Sequence, residues 1–379
     1  MRIAHIRDVY LRVTFIHHYL VHFRRHDHIV LCREIKDRDV FPYAHVAKTS
    51  ALHFPAYLLD KILTLKLGWT RRLVNDWWAY RGAIKRLGGD ISVLHAHMGT
   101  QGFYAVPLSR RTGIPLVVTF YGGDMSNVPK IPGWMDNYKE LFATAALILV
   151  EGPYMRERMI DLGCPGHKVK VSRLAVPVKG IKFNLRPSLG GEEPLRILMC
   201  AGFVRKKGFL DAMDTLGALK QAGRVFHCDI IGDGPLKNEI MMKRDELGLA
   251  PHITFHGKVV PSRIFEIAER AHLFFHPSKT GPDGDSEGGA PTVCSEMQAA
   301  GLPIIATTHA DIPNVIPEEN HFLAAEGDVQ GLVRQFERFL AVPGQWEAIS
   351  KRGRAFVEAN HDGFVCSAKL EEYYDSVIA

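Results

Sequence analysis

A chain of 379 residues exceeds what one compact core usually spans, so its length favours two domains, each able to bury a core of its own. With 46% hydrophobic and 23% charged residues, the composition is that of an ordinary globular protein and excludes disordered and collagen-like classes. The net charge of +6 is spread without the dense basic run of a nucleic-acid tail, so no nucleic-acid partner is expected.

Six cysteines are scattered with no CxxC pair or zinc-finger spacing, which suits a reduced cytoplasmic chain. The first residues run straight into strand-like sequence, and no signal peptide is expected. No apolar stretch approaches the roughly twenty residues that span a bilayer.

In chain order, short β-rich apolar runs occur at Arg2 to Ile6, His28 to Cys32, Ile91 to His95, Leu116 to Thr119 and Ala146 to Val150, with helical patterns between them. This alternation predicts a parallel sheet covered by helices. Between Leu63 and Leu87, Trp69, Trp77, Trp78 and Tyr80 interleave with Arg71, Arg72, Arg81, Lys85 and Arg86. Such a mixture suits a membrane headgroup region, and equally a helix with aromatic core contacts and a solvated basic face.

From Val178 to Pro194 the pattern breaks at Gly180, Pro187, Gly190, Gly191 and Pro194, which reads as a connector between domains. The pattern then restarts, with strands expected at Leu195 to Met199, Phe226 to Ile231, His252 to Phe255, His272 to Phe275 and Pro303 to Ala306. From Gly331 to Ile378 the tail reads as helical throughout. The fold class is therefore α/β, with two doubly wound domains whose ligand sites lie outside the carboxyl ends of the strands.

The stretch from Asp285 to Thr307 carries the most chemistry. Glu287 precedes Gly288 and Gly289, which let backbone approach a ligand, and then Ala290. Pro291 suits a first helical position, and Gly301 suits the stop. The amides of Thr292 and Val293 would then be unpaired at a positive helix end, an anion site for a diphosphate that needs no metal. With Glu287 before that end and Glu296 beyond it, each carboxylate can grip a hydroxyl pair, one on a sugar and one on a ribose. A solvated strand-turn-helix explains the spacing equally well.

This run resembles the signature of retaining glycosyltransferase family 4, whose paired glutamates precede a small-residue helix, a Gly-Leu-Pro turn and a strand. The likeness continues through Ala306-Thr-Thr-His-Ala-Asp-Ile-Pro-Asn-Val-Ile. The two glutamates stand one position further apart than is common, a form similar to exopolysaccharide and colanic-acid-type transferases. The resemblance implies the GT-B fold: two Rossmann-like domains facing each other across a deep cleft. Residues 1–180 would bind acceptor, 195–358 would bind the donor, and a helix over about 360–379 would pack back on the first domain.

Further matches place other residues. In Ala201-Gly-Phe-Val-Arg-Lys-Lys-Gly, Lys207 matches the family lysine that holds the donor diphosphate. The family arginine falls on Gly202, which leaves Arg205 and Lys206 as the nearest cations. Gly234, in an Ile-Gly-Asp-Gly-Pro turn, and Lys258, in a His-Gly-Lys loop, resemble segments around the nucleotide. His97, Tyr121 and Asp124 stand in two segments that resemble those facing the donor sugar, with Tyr121 where the family often has histidine.

His95 and His97 would share one side of a strand, as some metal sites begin, but no later carboxylate and histidine set completes one. The resemblance implies transfer of a sugar from a UDP-, GDP- or ADP-sugar to a saccharide or lipid-linked acceptor, without a metal. Lys207, Glu287 and Arg205 would be catalytic, with peripheral contact at the inner face of the plasma membrane. A nucleotide-sugar epimerase and a non-catalytic carbohydrate-binding member are the alternatives.

Overall fold

The computed structural model describes residues 1–10, 14–36, 41–48, 90–186, 189 and 193–378. The aromatic and basic stretch between Leu63 and Leu87 lies outside them. β1 (Arg2–Tyr10), β2 (Asp27–Ile35), β3 (Val46–Lys48), β4 (Val93–His97), β5 (Leu116–Thr119), β6 (Leu147–Val150) and β7 (Val169–Val171) form one sheet in the order β3-β2-β1-β4-β5-β6-β7. β8 (Leu195–Cys200), β9 (Phe226–Ile231), β10 (Ile253–Gly257), β11 (Leu273–His276), β12 (Ile304–Thr307) and β13 (Phe322–Ala324) form a second, ordered β10-β9-β8-β11-β12-β13. Every pairing in both is parallel.

Helices cover both faces of each sheet, so its strands are apolar on both sides. In the first sheet Ala4, Leu94, Val118 and Ile148 join one core cluster, while Ile3, Val93, Val117 and Leu147 join the opposite one. In the second, Ile197 and Met199 face one cluster and Leu198 the other. Strand order reverses between β1 and β4 and again between β8 and β11. Loops leaving the carboxyl ends on either side of such a reversal diverge and open a crevice.

The chain divides into two compact units, Met1–Ala175 with Gly363–Ala379, and Val176–Asp362. The first unit thus ends at Ala175 rather than at 180, because the expected connector folds onto the second. Asn184 N–H donates to Ala300 O at 3.2 Å, and the buried Arg186 guanidinium donates to the carbonyls of Ala268, Glu269 and Ala300.

The helical tail is also interrupted, into Val329–Leu340, Trp346–His361 and Gly363–Ile378. A turn at Pro343–Gln345 makes the first break and extended backbone at Asp362 the second. The last helix belongs to the first unit, where Leu370 and Tyr374 pack with Ile3 and Val93. Among the described residues no helix is long and apolar enough to cross a membrane.

Candidate active site

In the second unit, the loops after β8 and β11 meet at the reversal of strand order. β11 is buried along its length and ends at His276, followed by Pro277 and Ser278. The loop after β8 contains the turn Arg205–Lys207 and then Gly208. Gly208 has φ +67°, and a Cβ there would stand 1.8 Å from Pro277 O, so glycine is what lets the loops come this close. Lys279 N–H donates to Lys206 O at 2.8 Å, and the Lys279 ammonium pairs with Asp211 at 2.7 Å.

That approach brings Lys207 Nζ within 2.7 Å of Glu287 Oε1. Ser278 Oγ–H donates to the same oxygen at 2.8 Å, so its oxygen accepts from His276 Nε2–H at 2.9 Å. Burial favours the neutral form of Glu287, but the Lys207 ammonium and the Ser278 hydrogen bond outweigh it and hold the carboxyl below its usual range. Burial, with Lys207 nearby, pushes His276 down to about 3, so this imidazole is neutral.

After Glu287 come the buried Gly288 and Gly289 and the part-buried Ala290. Pro291 is extended, at φ −59° and ψ 126°, and caps the helix Thr292–Ala299 instead of opening it. The helix therefore starts one residue later than expected. Cys294 N–H already donates to Pro291 O at 3.0 Å. Among the described residues the N–H groups of Thr292 and Val293 have no acceptor.

Glu296, one turn in, is part-exposed, and its carboxylate bonds to no described residue. Burial pushes it up to about 7. Burial likewise pushes the Cys294 thiol up to about 12, so it stays protonated.

Other expected site residues are placed differently. Arg205, expected beside Lys207 as a catalytic cation, pairs with Glu239 at 2.9 Å on the exposed surface. Lys206 instead braces the acidic loop, donating to Asp285 Oδ1 at 3.1 Å and Ser286 O at 2.9 Å. Gly234 packs on the loop after β8, where a Cβ would stand 2.8 Å from Phe203 O. Lys258 is exposed just past β10 and pairs with no described acid.

Sequence reasoning missed His276, Ser278, His309 and Glu326. Glu287 N–H donates to His309 Nε2 at 3.1 Å, and His309 Nδ1 lies 2.6 Å from Glu326 Oε1. The available signal was position: His276 and His309 each stand at or just past the carboxyl end of a buried strand, where polar side chains serve a site and not the core.

In the first unit, His97 is buried and its Nδ1 lies 2.8 Å from the Tyr121 hydroxyl. Asp124 is fully buried and accepts from Tyr121 N–H at 3.0 Å, with burial raising it to about 6. It thus fastens its own turn, beside the Tyr121 with which it was expected to face the donor sugar.

His5 joins His95 and His97 in a buried three-histidine group, a partner upstream in the chain that the sequence search did not find. Their ring nitrogens are engaged: His5 with His97 at 3.0 Å and His28 at 2.8 Å, and His95 with Tyr374 and Thr119, both at 2.7 Å. Burial lowers all of these imidazoles, and among the described residues no carboxylate joins the three, so the arrangement is a neutral hydrogen-bonded network.

Comparison with known proteins matches two family models, Glycosyl transferase 4-like domain over residues 16–174 and Glycosyl transferases group 1 over residues 194–341. The chain is 30% identical over 257 residues to the amylovoran biosynthesis glycosyltransferase AmsK of Erwinia amylovora, covering 68% of this chain and 62% of that protein. This chain therefore matches less than two thirds of that relative's length. It is 28% identical to the putative colanic acid biosynthesis glycosyltransferase WcaL of Escherichia coli K12, covering 73% of this chain and 69% of that protein.

Among solved structures, a glycosyltransferase from Rickettsia africae has a TM-score of 0.75 at 15% identity, covering 100% of this chain and 98% of that one. Anabaena Alr3699/HepE in complex with UDP has a TM-score of 0.72 at 14% identity, covering 99% of this chain and 100% of that one. These structures share the fold. Two parallel doubly wound sheets, with a family model on each, show that the chain belongs to the group 1, family 4-like glycosyltransferases of GT-B fold.

Proposed function

We propose that the chain is a retaining, metal-independent glycosyltransferase that moves a sugar from a nucleoside diphosphate donor to a saccharide or lipid-linked acceptor in cell-surface polysaccharide synthesis. It would work at the cytoplasmic face of the plasma membrane, with the aromatic and basic stretch 63–87 as its membrane-facing element. The observation that carries the reading is the Lys207–Glu287 pair next to the open amide end of the helix Thr292–Ala299. A helix amino end with unpaired N–H groups attracts a diphosphate, and Lys207 adds a full positive charge there. Glu287 grips the donor sugar and Glu296 the ribose. The Anabaena neighbour was solved with UDP and with UDP-glucose, which makes uridine donors the first to test.

In the reaction, the bond from the sugar anomeric carbon to the β-phosphate oxygen breaks while the acceptor oxygen bonds that carbon on the same face. The acceptor proton passes to the departing phosphate. Lys207 and the Thr292 and Val293 amides stabilise the charge that gathers on the leaving group, the kind of fixed stabilisation worth about 10²–10³ in rate. Glu287, pinned by Lys207 and Ser278, serves as a hydrogen-bond acceptor and not as a nucleophile.

Release of UDP from UDP-glucose, with and without acceptor, tests this. Lys207→Ala is expected to lower turnover by about 10²–10³, and unchanged turnover would contradict the reading. The outward turn of Arg205 toward Glu239 favours one rival, a binding member without turnover. Any Lys207-dependent transfer removes it. The relatives above are described as transferases, none as an epimerase.

A further inference from the structure

We infer that His309, held by Glu326, is the positioning residue for Glu287, fixing the main chain that carries the sugar-facing carboxylate. The inference rests on the donor-site reading above and adds to it a residue that never touches donor. Glu287 is held twice: its side chain by Lys207 and Ser278, and its main chain by the N–H bond to His309 Nε2 at 3.1 Å.

For Nε2 to accept, the imidazole must carry its proton on Nδ1. That proton then points at Glu326 Oε1, 2.6 Å away. The other Glu326 oxygen accepts Thr280 N–H at 2.7 Å. Burial favours a neutral Glu326, but the bonds from Thr280 and His309 outweigh it and hold the carboxyl below its usual range, so it remains an anionic acceptor.

Thr280, His309 and Glu326 follow β11, β12 and β13, three neighbouring strands, so the chain of bonds ties three loop bases together beneath Glu287. His309 is 2% exposed, so the ring makes these bonds away from solvent. Ala310, the next residue, sits at φ +49°, a left-handed conformation that side-chain-bearing residues take only where the surroundings impose it. A neutral histidine suits the task because it accepts at one nitrogen and donates at the other. Leucine does neither, and glutamine does both from one amide.

The test uses the full chain with UDP and UDP-glucose as probes, in wild type, His309→Leu and His309→Gln. UDP lacks the sugar that Glu287 would grip. His309→Leu is expected to leave the Kd for UDP within about twofold while lowering kcat for UDP-glucose by about tenfold to a hundredfold, the cost of a misplacement near 1 Å. His309→Gln should recover much of that loss.

Hydrogen exchange on the proteins without probe gives a second readout: the Glu287 amide should exchange faster in His309→Leu and regain protection in His309→Gln. A His309→Leu protein with wild-type exchange at Glu287 and wild-type kcat overturns the inference, and so does an equal loss of UDP binding and turnover. If exchange responds as expected but wild type neither binds UDP nor turns over UDP-glucose, the positioning role stands and the uridine-donor reading falls.

Discussion

Glu296 and Glu287 are carboxylates on either side of one helix end, and their surroundings push them in opposite directions. Glu287 has an ammonium and a hydroxyl on one oxygen and stays ionised. Glu296 has no bonded partner among the described residues, and burial raises it from 4.5 to about 7. A carboxyl raised on folding holds its proton in the native state between those two values. Its contribution to stability is therefore present below the lower one and is lost as pH rises to the upper.

Ligand binding runs the other way, because a ribose hydroxyl donates best to the carboxylate form. The affinity for UDP is expected to strengthen as pH climbs from 6 to 8, with a slope of at most about tenfold per unit. Glu296→Gln should bind more weakly at pH 8 and lose most of that slope. Titration of the phosphate is common to both proteins, so the difference between their calorimetric profiles is the readout. Parallel profiles would remove Glu296 from the ribose site.

Among the elements, the helix Gly363–Ile378 shows how a distant segment completes a core. Its Glu371 side chain, 2% exposed, accepts the main-chain N–H groups of Arg24, Arg25 and His26 at 3.1, 2.7 and 3.2 Å. Asp375 adds bonds to Arg25 and His26 at 2.7 and 2.9 Å. Glu371→Ala leaves these donors without their acceptor and is expected to cost roughly 2–4 kcal/mol. The first thermal transition should fall and the C-terminal helix should become cleavable by protease, whereas an unchanged melt would show that apolar packing alone holds it.

Among the described residues, central strands such as β4, β5, β6, β11 and β12 were legible as apolar runs because burial on both faces removes polar positions. β3, β7 and β13, each three residues long and at a sheet edge or its neighbour, offer too few positions for any period to show. The break at Asp362 was not visible in the apolar pattern, which a single extended residue does not interrupt, and was expected near 360 only from the family resemblance.

For the whole molecule, the sequence disclosed chemistry where it is local and concealed it where it is assembled. Lys207, Glu287 and Glu296 could be singled out as candidates because each lies in a short stretch with its own glycines or helix signal, and the structure brings the first two into contact. His309 and Glu326 could not, since their meaning arises only when three strands align their ends. The direction of Arg205 was not readable, because adjacency to Lys207 in sequence says nothing of it, and a turn sends neighbouring side chains to different partners. The three-histidine group needed β1 and β4 to pair, with His5 opposite His95, before it existed at all.

The central claim is that a nucleotide diphosphate rests on the amino end of the helix Thr292–Ala299. A crystal structure of the full chain grown with UDP addresses it most directly. The account predicts phosphate oxygens within hydrogen-bond distance of the Thr292 and Val293 amides and of Lys207 Nζ, with the ribose hydroxyls on Glu296. UDP bound away from that helix end, or bound there with Lys207 and Glu296 both turned aside, would contradict it.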